Sequence, residues 1–338
     1  MNVTNKPDVV FIQSILRSEG FITIIGATVK VYKKTETLSM KTILIILLTF
    51  VTYQIFAQDI IPLYSDSIPN SLPHRMKEIR IEREGNFFGY RNVSEPTLEV
   101  YLPDKGIAIG IAVIIFPGGG YSMLSYHLEG IEIAKAFVNE GITAFIVKYR
   151  LPSDSIMKDK SIGPLQDAQQ AIKTVRLHAE EWNLNPHKIG VMGFSAGGHI
   201  ASTAGTHFDK SYILNNEKVN LRPDFMILIY PVISMNDEMT HQGSRINLLG
   251  ENPERERINF FSNEDHINTD TPLTWITHTG DDIVVPVENS IRFYKELIRN
   301  KIPAEMHLYP HGNHGFVLKL PTNEWMIPLF KWIKLLQT

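Results

Sequence analysis

Gly193-Phe194-Ser195-Ala196-Gly197-Gly198 has the spacing G-x-S-x-G, and its flanks decide what that spacing means. Before it, Lys188-Ile189-Gly190-Val191-Met192 reads as a short apolar strand; after it, Gly198 to His207, rich in Ala, Ile and Ser, reads as a helix. Strand, tight turn and helix together predict a nucleophile elbow, in which Ser195 projects its hydroxyl above the end of a sheet. A turn that tight leaves no room for side chains two residues to either side, which accounts for Gly193 and Gly197. The helix that follows points its amino end at the site, so its partial positive charge and the N–H of Ala196 favour a developing oxyanion. A glycine-rich surface turn matches the bare pattern but not the strand and helix around it.

A serine nucleophile needs a base, and the base needs an orienting acid, in the chain order Ser, Asp or Glu, then His for a strand–elbow–helix unit of this kind. Downstream, a strand-like run from Pro272 to His278 leads into Gly280-Asp281-Asp282-Ile283-Val284-Val285-Pro286. A further strand, Ala304 to Tyr309, leads into His311-Gly312-Asn313-His314-Gly315-Phe316. Order and position thus offer Asp281 or Asp282 as the acid and His311 or His314 as the base. A metal site built from the same four residues lacks any HExxH or cysteine ligand pattern. An oxyanion hole needs a second backbone donor from the loop after an earlier strand. The run Ile111 to Phe116 reads as that strand and continues into Pro117-Gly118-Gly119-Gly120-Tyr121, whose glycines let the backbone approach a substrate carbonyl. Gly119 and Gly120, with Ala196, are the expected donors. A phosphate-binding loop would end in G-K-[ST], which is missing. Tyr121 is expected either to line the acyl pocket as a substrate-binding residue or simply to pack.

From Ile79 to its end the chain resembles the secreted carbohydrate-esterase branch of the α/β hydrolases, the acetyl-xylan-esterase-like and feruloyl-esterase-like proteins related to the hormone-sensitive-lipase group. The matching residues are Pro96 to Pro103, the Pro-Gly-Gly-Gly-Tyr loop, Lys148-Tyr149-Arg150-Leu151-Pro152, Gly193 to Gly198, Asn247-Leu248-Leu249-Gly250, Asp281 to Pro286 and His314-Gly315-Phe316. The lipase group carries His where this chain has Pro117. The resemblance selects Asp282, which begins the D-x-x-V-P pattern, as the acid and His314, which begins H-G-F, as the base. Asp281 is then expected to be a solvated loop carboxylate, and His311 a loop residue that packs or bonds to backbone. The resemblance implies an α/β-hydrolase fold: a mostly parallel central sheet flanked by helices on both faces, with a small cap insertion. It also implies a serine carboxylesterase acting on short acyl esters, acetyl above all, of polysaccharide or oligosaccharide, with no cofactor and no metal. A feruloyl esterase and a general carboxylesterase or lipase are the neighbouring readings. A serine peptidase of the prolyl-oligopeptidase type would need a propeller domain for which the chain before the first strand leaves no room, and a non-catalytic binding protein sits badly with a filled set of site positions.

The remaining pattern alternates strand and helix, which implies a doubly covered sheet. Arg80 to Arg83 and Thr97 to Leu102 suggest early antiparallel strands; Ile131 to Asn139 reads as a helix and Thr143 to Lys148 as a strand. Ala168, Ile172, Val175, Ala179 and Trp182 recur at helical spacing, with Lys173, Arg176 and Glu180 as a solvated face. Phe225 to Tyr230 is the next strand, and Val287 to Arg299 and Glu324 to Leu336 are the last helices. Between them, 231–271 reads as a polar cap or insertion beside the acyl pocket. A formal charge of −3 gives no sign of a nucleic-acid partner, and 43% hydrophobic residues can fill a large core. The absence of cysteine excludes a Cys nucleophile and a disulfide framework. Met40-Lys41 and the apolar run from Thr42 to Ala57 have the layout of a signal peptide, 40–57, after an upstream extension or mis-assigned start, 1–39. An exported protein with no membrane span in its mature form is expected, with an uncleaved anchor as the alternative, followed by a linker, 58–76, and a catalytic domain, 77–338.

Overall fold

The computed structural model describes residues 59–82 and 87–336; the expected signal segment and the extension before it lie outside them. Among the described residues ten strands form two sheets. A two-stranded ribbon joins β2 (Ile79–Glu82) to β3 (Phe88–Arg91). The main sheet has the order β1-β4-β6-β5-β7-β8-β9-β10. Its members are β1 (Asp59–Pro62), β4 (Thr97–Tyr101), β5 (Ala112–Phe116), β6 (Thr143–Lys148), β7 (Ile189–Phe194), β8 (Phe225–Ile229), β9 (Leu273–Thr279) and β10 (Ala304–Tyr309). β1 and β4 run antiparallel to their neighbours and every other pairing is parallel. Every residue of β5, β7 and β8 is buried, as strands covered on both faces must be, which explains why their sequences are continuous apolar runs rather than alternating ones.

The sheet order places the site. From β5 the chain moves to β6 on one side and then returns past β5 to β7 on the other. Right-handed crossovers require the helices of these two steps to lie on opposite faces, which opens a crevice at the carboxyl ends of β5 and β7. α1 (Glu132–Asn139), continuing from one π-helical turn at His127–Ile131, meets α7 (Thr322–Leu335) through the edge-to-face pair Phe137–Phe330, 5.6 Å between centroids. α2 (Gly163–Leu177) and α3 (Ala196–Thr206) cover the other face, with α6 (Glu288–Arg299) further along. No helix among the described residues is long and apolar enough to cross a membrane.

Three expectations are corrected by packing. The segment 58–76 is not a linker, because β1 extends the sheet: Asp59 to Pro62 pair with Val100 to Thr97. Beyond β1, Leu63 is buried in the core, and Tyr64 donates its hydroxyl proton to Asp167 at 2.9 Å. That carboxylate also holds the buried Arg150 through Nη2 at 2.7 Å, and Arg150 Nη1 reaches Pro69 O at 2.8 Å. A buried pair of this kind costs about 3–5 kcal/mol to break from one side, so Arg150 and Asp167 tie the segment to the domain. Nor are Lys173 and Arg176 a solvated face. Lys173, only 8% exposed, donates to Leu214 O at 2.9 Å and Glu217 at 2.6 Å, and Arg176 binds Asn220 O, Arg222 O at 2.9 Å and Asp224 at 2.7 Å. The loop after α3 folds over this helix and covers its polar side. α2 also stops at Leu177, so Trp182 packs on Phe145, 4.8 Å between ring centroids, from the turn beyond it.

Candidate active site

Ser195 stands between β7 and α3 with φ 52° and ψ −117°, a strained backbone for a residue with a side chain. A Cβ on Gly193 would lie 2.0 Å from Gly197 O, and one on Gly197 would lie 2.0 Å from Phe116 O, so both elbow glycines are forced by close backbone approach. Ser195 N donates to Ile229 O at 3.0 Å, and Val232 N donates to Ser195 O at 3.0 Å, which anchors the turn to β8.

The loops after β9 and β10 bring Asp282 and His314 to this serine. His314 Nε2 is 3.0 Å from Ser195 Oγ, and His314 Nδ1 is 2.7 Å from Asp282 Oδ2. Asp282 Oδ1 accepts from the N–H groups of Val284 and Val285, both at 2.9 Å. The same Oδ2 takes a second ring, His278 Nε2 at 3.1 Å, whose Nδ1 faces Ser290 Oγ at 2.8 Å. Burial pushes the Asp282 carboxyl up, but the bonds from His278 and His314 outweigh it and hold the group well below the usual carboxylate range. An ionised acid only accepts. The proton of His314 is therefore on Nδ1, and Nε2 offers its lone pair to the Ser195 hydroxyl.

The glycine loop lies across the crevice. Gly118 N donates to Glu129 Oε2 at 2.7 Å, and Glu129 Oε1 accepts from Tyr230 Oη at 3.0 Å. The Tyr230 ring lies 4.7 Å from that of His314, so one buried glutamate joins the loop to the wall behind the imidazole. Among the described residues no acceptor is bonded to the N–H groups of Gly119, Gly120 or Ala196. Asn247 holds the loop from the other side, donating through Nδ2 to Gly120 O at 2.7 Å. It stands on α4 (Gln242–Leu249), which with α5 (Arg255–Phe260) makes up much of 231–271. That segment also returns to α3, where Asn263 Nδ2 donates to Ser202 Oγ at 2.8 Å and Thr203 Oγ1 at 2.9 Å.

Tyr121 does not line the site. Only 2% exposed, it turns inward, with its hydroxyl 2.8 Å from His199 Nδ1 and its ring against Tyr149. Its φ of 61° explains the turn: the left-handed backbone carries the side chain beneath the loop. Asp281 is likewise more than a solvated carboxylate. It accepts from Asn313 N at 2.8 Å and Gly312 N at 3.1 Å, clamping the loop that bears His314, and those bonds lower its proton affinity, that from Asn313 most. His311 does not pack; its side chain is 86% exposed, 3.5 Å from Asp281. Sequence reading missed Glu129, His278, Tyr230 and Asn313, whose Oδ1 accepts from His314 N at 2.7 Å. Asn313 alone carried a signal, standing beside His314; the others come from elements whose approach depends on the sheet order.

Two buried histidines, His199 on α3 and His207 just past its carboxyl end, have their proton affinity pushed down to about 4, burial being the chief cause in each. His199 Nε2 donates to Phe261 O at 2.8 Å, which fits a neutral ring whose Nδ1 accepts from Tyr121. Below the ordinary value of 6.5 the unfolded chain takes up protons that these rings refuse until about 4, so stability should fall as pH drops through that window. Each unit of depression corresponds to about 1.4 kcal/mol. Urea unfolding midpoints should be lower at pH 5 than at pH 7, and the drop should shrink in His199→Gln. Equal midpoints at the two pH values would show that these rings are not held neutral.

The sequence of residues 98–297 matches the BD-FAE family model. The chain is 38% identical over 220 residues to an acetylxylan esterase of Xylanibacter ruminicola, and 38% over 226 residues to endo-1,4-beta-xylanase B of Butyrivibrio fibrisolvens. These alignments take in 64% and 66% of the chain but only 42% and 35% of the relatives, so the chain spans less than half the length of either. The crystal structure of an acetyl ester-xyloside bifunctional hydrolase from Caldicellulosiruptor lactoaceticus, 36% identical, superposes with a TM-score of 0.68, covering 82% of this chain and 96% of that one. A matched segment longer than half the chain and the superposition on a solved hydrolase at 36% identity lead to one assignment: the chain belongs to the BD-FAE family of α/β hydrolases.

Proposed function

We propose that this protein hydrolyses short acyl esters, acetyl above all, on polysaccharide or oligosaccharide through an acyl-enzyme formed on Ser195. The observation that carries the reading is the unbroken hydrogen-bond chain from Asp282 through His314 to Ser195 Oγ, set beside three backbone N–H groups that have no acceptor among the described residues. Ser195 Oγ attacks the ester carbonyl carbon while its proton passes to His314 Nε2, and the carbonyl oxygen gains charge toward the N–H groups of Ala196, Gly119 and Gly120. The imidazolium, stabilised by Asp282, gives that proton to the departing sugar oxygen, and the C–O bond breaks. A water molecule, deprotonated by His314, then attacks the acyl carbonyl and frees Ser195 and a carboxylic acid. The similarity to proteins known as an acetylxylan esterase and an acetyl ester-xyloside hydrolase supports the acetyl and sugar parts of this reading.

An enzyme for sugar acetyl groups needs little space on the acyl side and a wide, wet alcohol side. The value of kcat/KM should therefore be higher for acetyl than for octanoyl esters by about tenfold or more, since a misfitting chain loses at least what a few methylenes are worth in a pocket. Acetyl, octanoyl and feruloyl esters of one alcohol, compared with a dipeptide amide, test this. A clear octanoyl preference would overturn the acetyl reading in favour of a lipase. A feruloyl preference would replace it with the sister activity, and amide cleavage would make the protein a peptidase.

A further inference from the structure

His241, the residue before α4, stands at the glycine loop rather than in it. A Cβ placed on Gly120 would lie 3.6 Å from its Cε1, so the ring covers the outer face of the loop that carries the candidate oxyanion donors. Its Nδ1 accepts from Ser244 N at 3.3 Å, capping the helix, and faces Ser244 Oγ at 2.8 Å. A ring nitrogen that accepts a backbone N–H carries no proton, so the neutral ring has its proton on Nε2. Among the described residues that N–H has no acceptor. Burial first, and the nearby His314 second, lower the ring's proton affinity against the opposing pull of Asp282, so it is held neutral within reach of the site's own charges.

We infer that His241 is a specificity-determining residue whose Nε2–H donates to a hydroxyl or ring oxygen of the sugar that bears the acyl group. This rests on the esterase reading above. The chemistry points to the alcohol side because an acetyl group has one polar atom besides the ester oxygen, its carbonyl oxygen, and the donors of Ala196 and the glycine loop already face that atom. His314 gives its proton to the leaving oxygen, so a donor packed on Gly120 and within electrostatic reach of His314 borders the leaving sugar. A fixed, uncharged donor suits a sugar oxygen, and a polar substrate group that finds its partner is distinguished from one that does not by the cost of leaving the site's own group unpaired.

Steady-state kinetics on acetylated xylo-oligosaccharides and on 4-nitrophenyl acetate, with the full chain, test the assignment. His241→Ala should raise KM for the sugar ester by about tenfold, the usual value of one uncharged hydrogen bond, and shift the ratio of kcat/KM values against the sugar by the same factor. His241→Asn keeps a side chain able to cap α4 but too short to reach the substrate, so it should give the same shift. Rescue of the sugar preference by Asn would show that His241 acts only as a helix cap and would overturn the assignment. Equal losses on both esters in both variants would also overturn it, as would no loss on either. Wild-type protein that turns over neither ester would overturn the esterase reading itself, an outcome distinct from these.

Discussion

Ser195→Ala should abolish ester hydrolysis while leaving the fold intact. The substitution removes one oxygen and with it the group that forms the acyl-enzyme in the proposed mechanism. The strained φ of 52° is shared by Ser and Ala, and the backbone anchors to Ile229 and Val232 do not involve the side chain. Loss of a serine nucleophile lowers kcat by about 10⁴–10⁶, the residue of rate coming from oxyanion donors and binding alone. Hydrolysis of an aryl acetate by the purified variant, with circular dichroism and a thermal melt as folding controls, measures the effect. Turnover near the wild-type rate would remove Ser195 from the mechanism and the relay with it.

Asp282→Asn should cost nearly as much, and the geometry says why. Asp282 Oδ1 accepts from two backbone N–H groups, at Val284 and Val285. An asparagine there must keep its carbonyl oxygen on those donors and turn its NH2 toward His314 and His278. His314 Nδ1 then becomes an acceptor, its proton moves to Nε2, and Ser195 faces an N–H instead of a lone pair. The wrong tautomer of this kind is worth about 10⁴ in kcat in the well-studied protease relay. Asp281→Asn acts differently. The clamp on Gly312 N and Asn313 N is weakened because the new NH2 cannot accept, so the loop bearing His314 loosens without a change of tautomer. A loss of about tenfold, the value of one or two neutral hydrogen bonds, is expected. Both variants measured under one set of conditions should differ by about 10²–10³. Equal or reversed losses would make Asp281 the acid.

The parts of the site that lie within one loop were legible without a structure. The elbow around Ser195 is set by a strand ending and a turn, so local spacing carries it; spacing offered two acids and two histidines after the later strands, and the resemblance chose Asp282 and His314, the pair that the structure brings to Ser195. Parallel strands buried on both faces also declare themselves, as in Val113-Ile114-Ile115 and Met226-Ile227-Leu228, since a polar side chain is costly there unless, like His278 of β9, it finds a partner. Where the reading failed, it failed on contacts between distant segments. Lys173 and Arg176 fall at the positions that helical spacing assigns to solvent, but a loop more than forty residues downstream covers them. Residues 59–62 read as linker because their pairing with β4 depends on an edge strand left open by the sheet order.

By itself, then, the sequence determined the fold class, the chain order of serine, acid and base, and the glycines at Gly193, Gly197 and the loop before Tyr121, because steric and periodic constraints act over a few residues. Only the tertiary structure decided that Tyr121 turns inward to His199, that Glu129 ties Gly118 to Tyr230 behind His314, and that His241 caps a helix over Gly120 with a proton free on Nε2. Those side chains come from separate elements, and nothing in their local sequence records which of them the crossovers will bring together. A buried polar group must find a partner, but the partner's identity is a property of the packed sheet and its insertion, not of the residue alone.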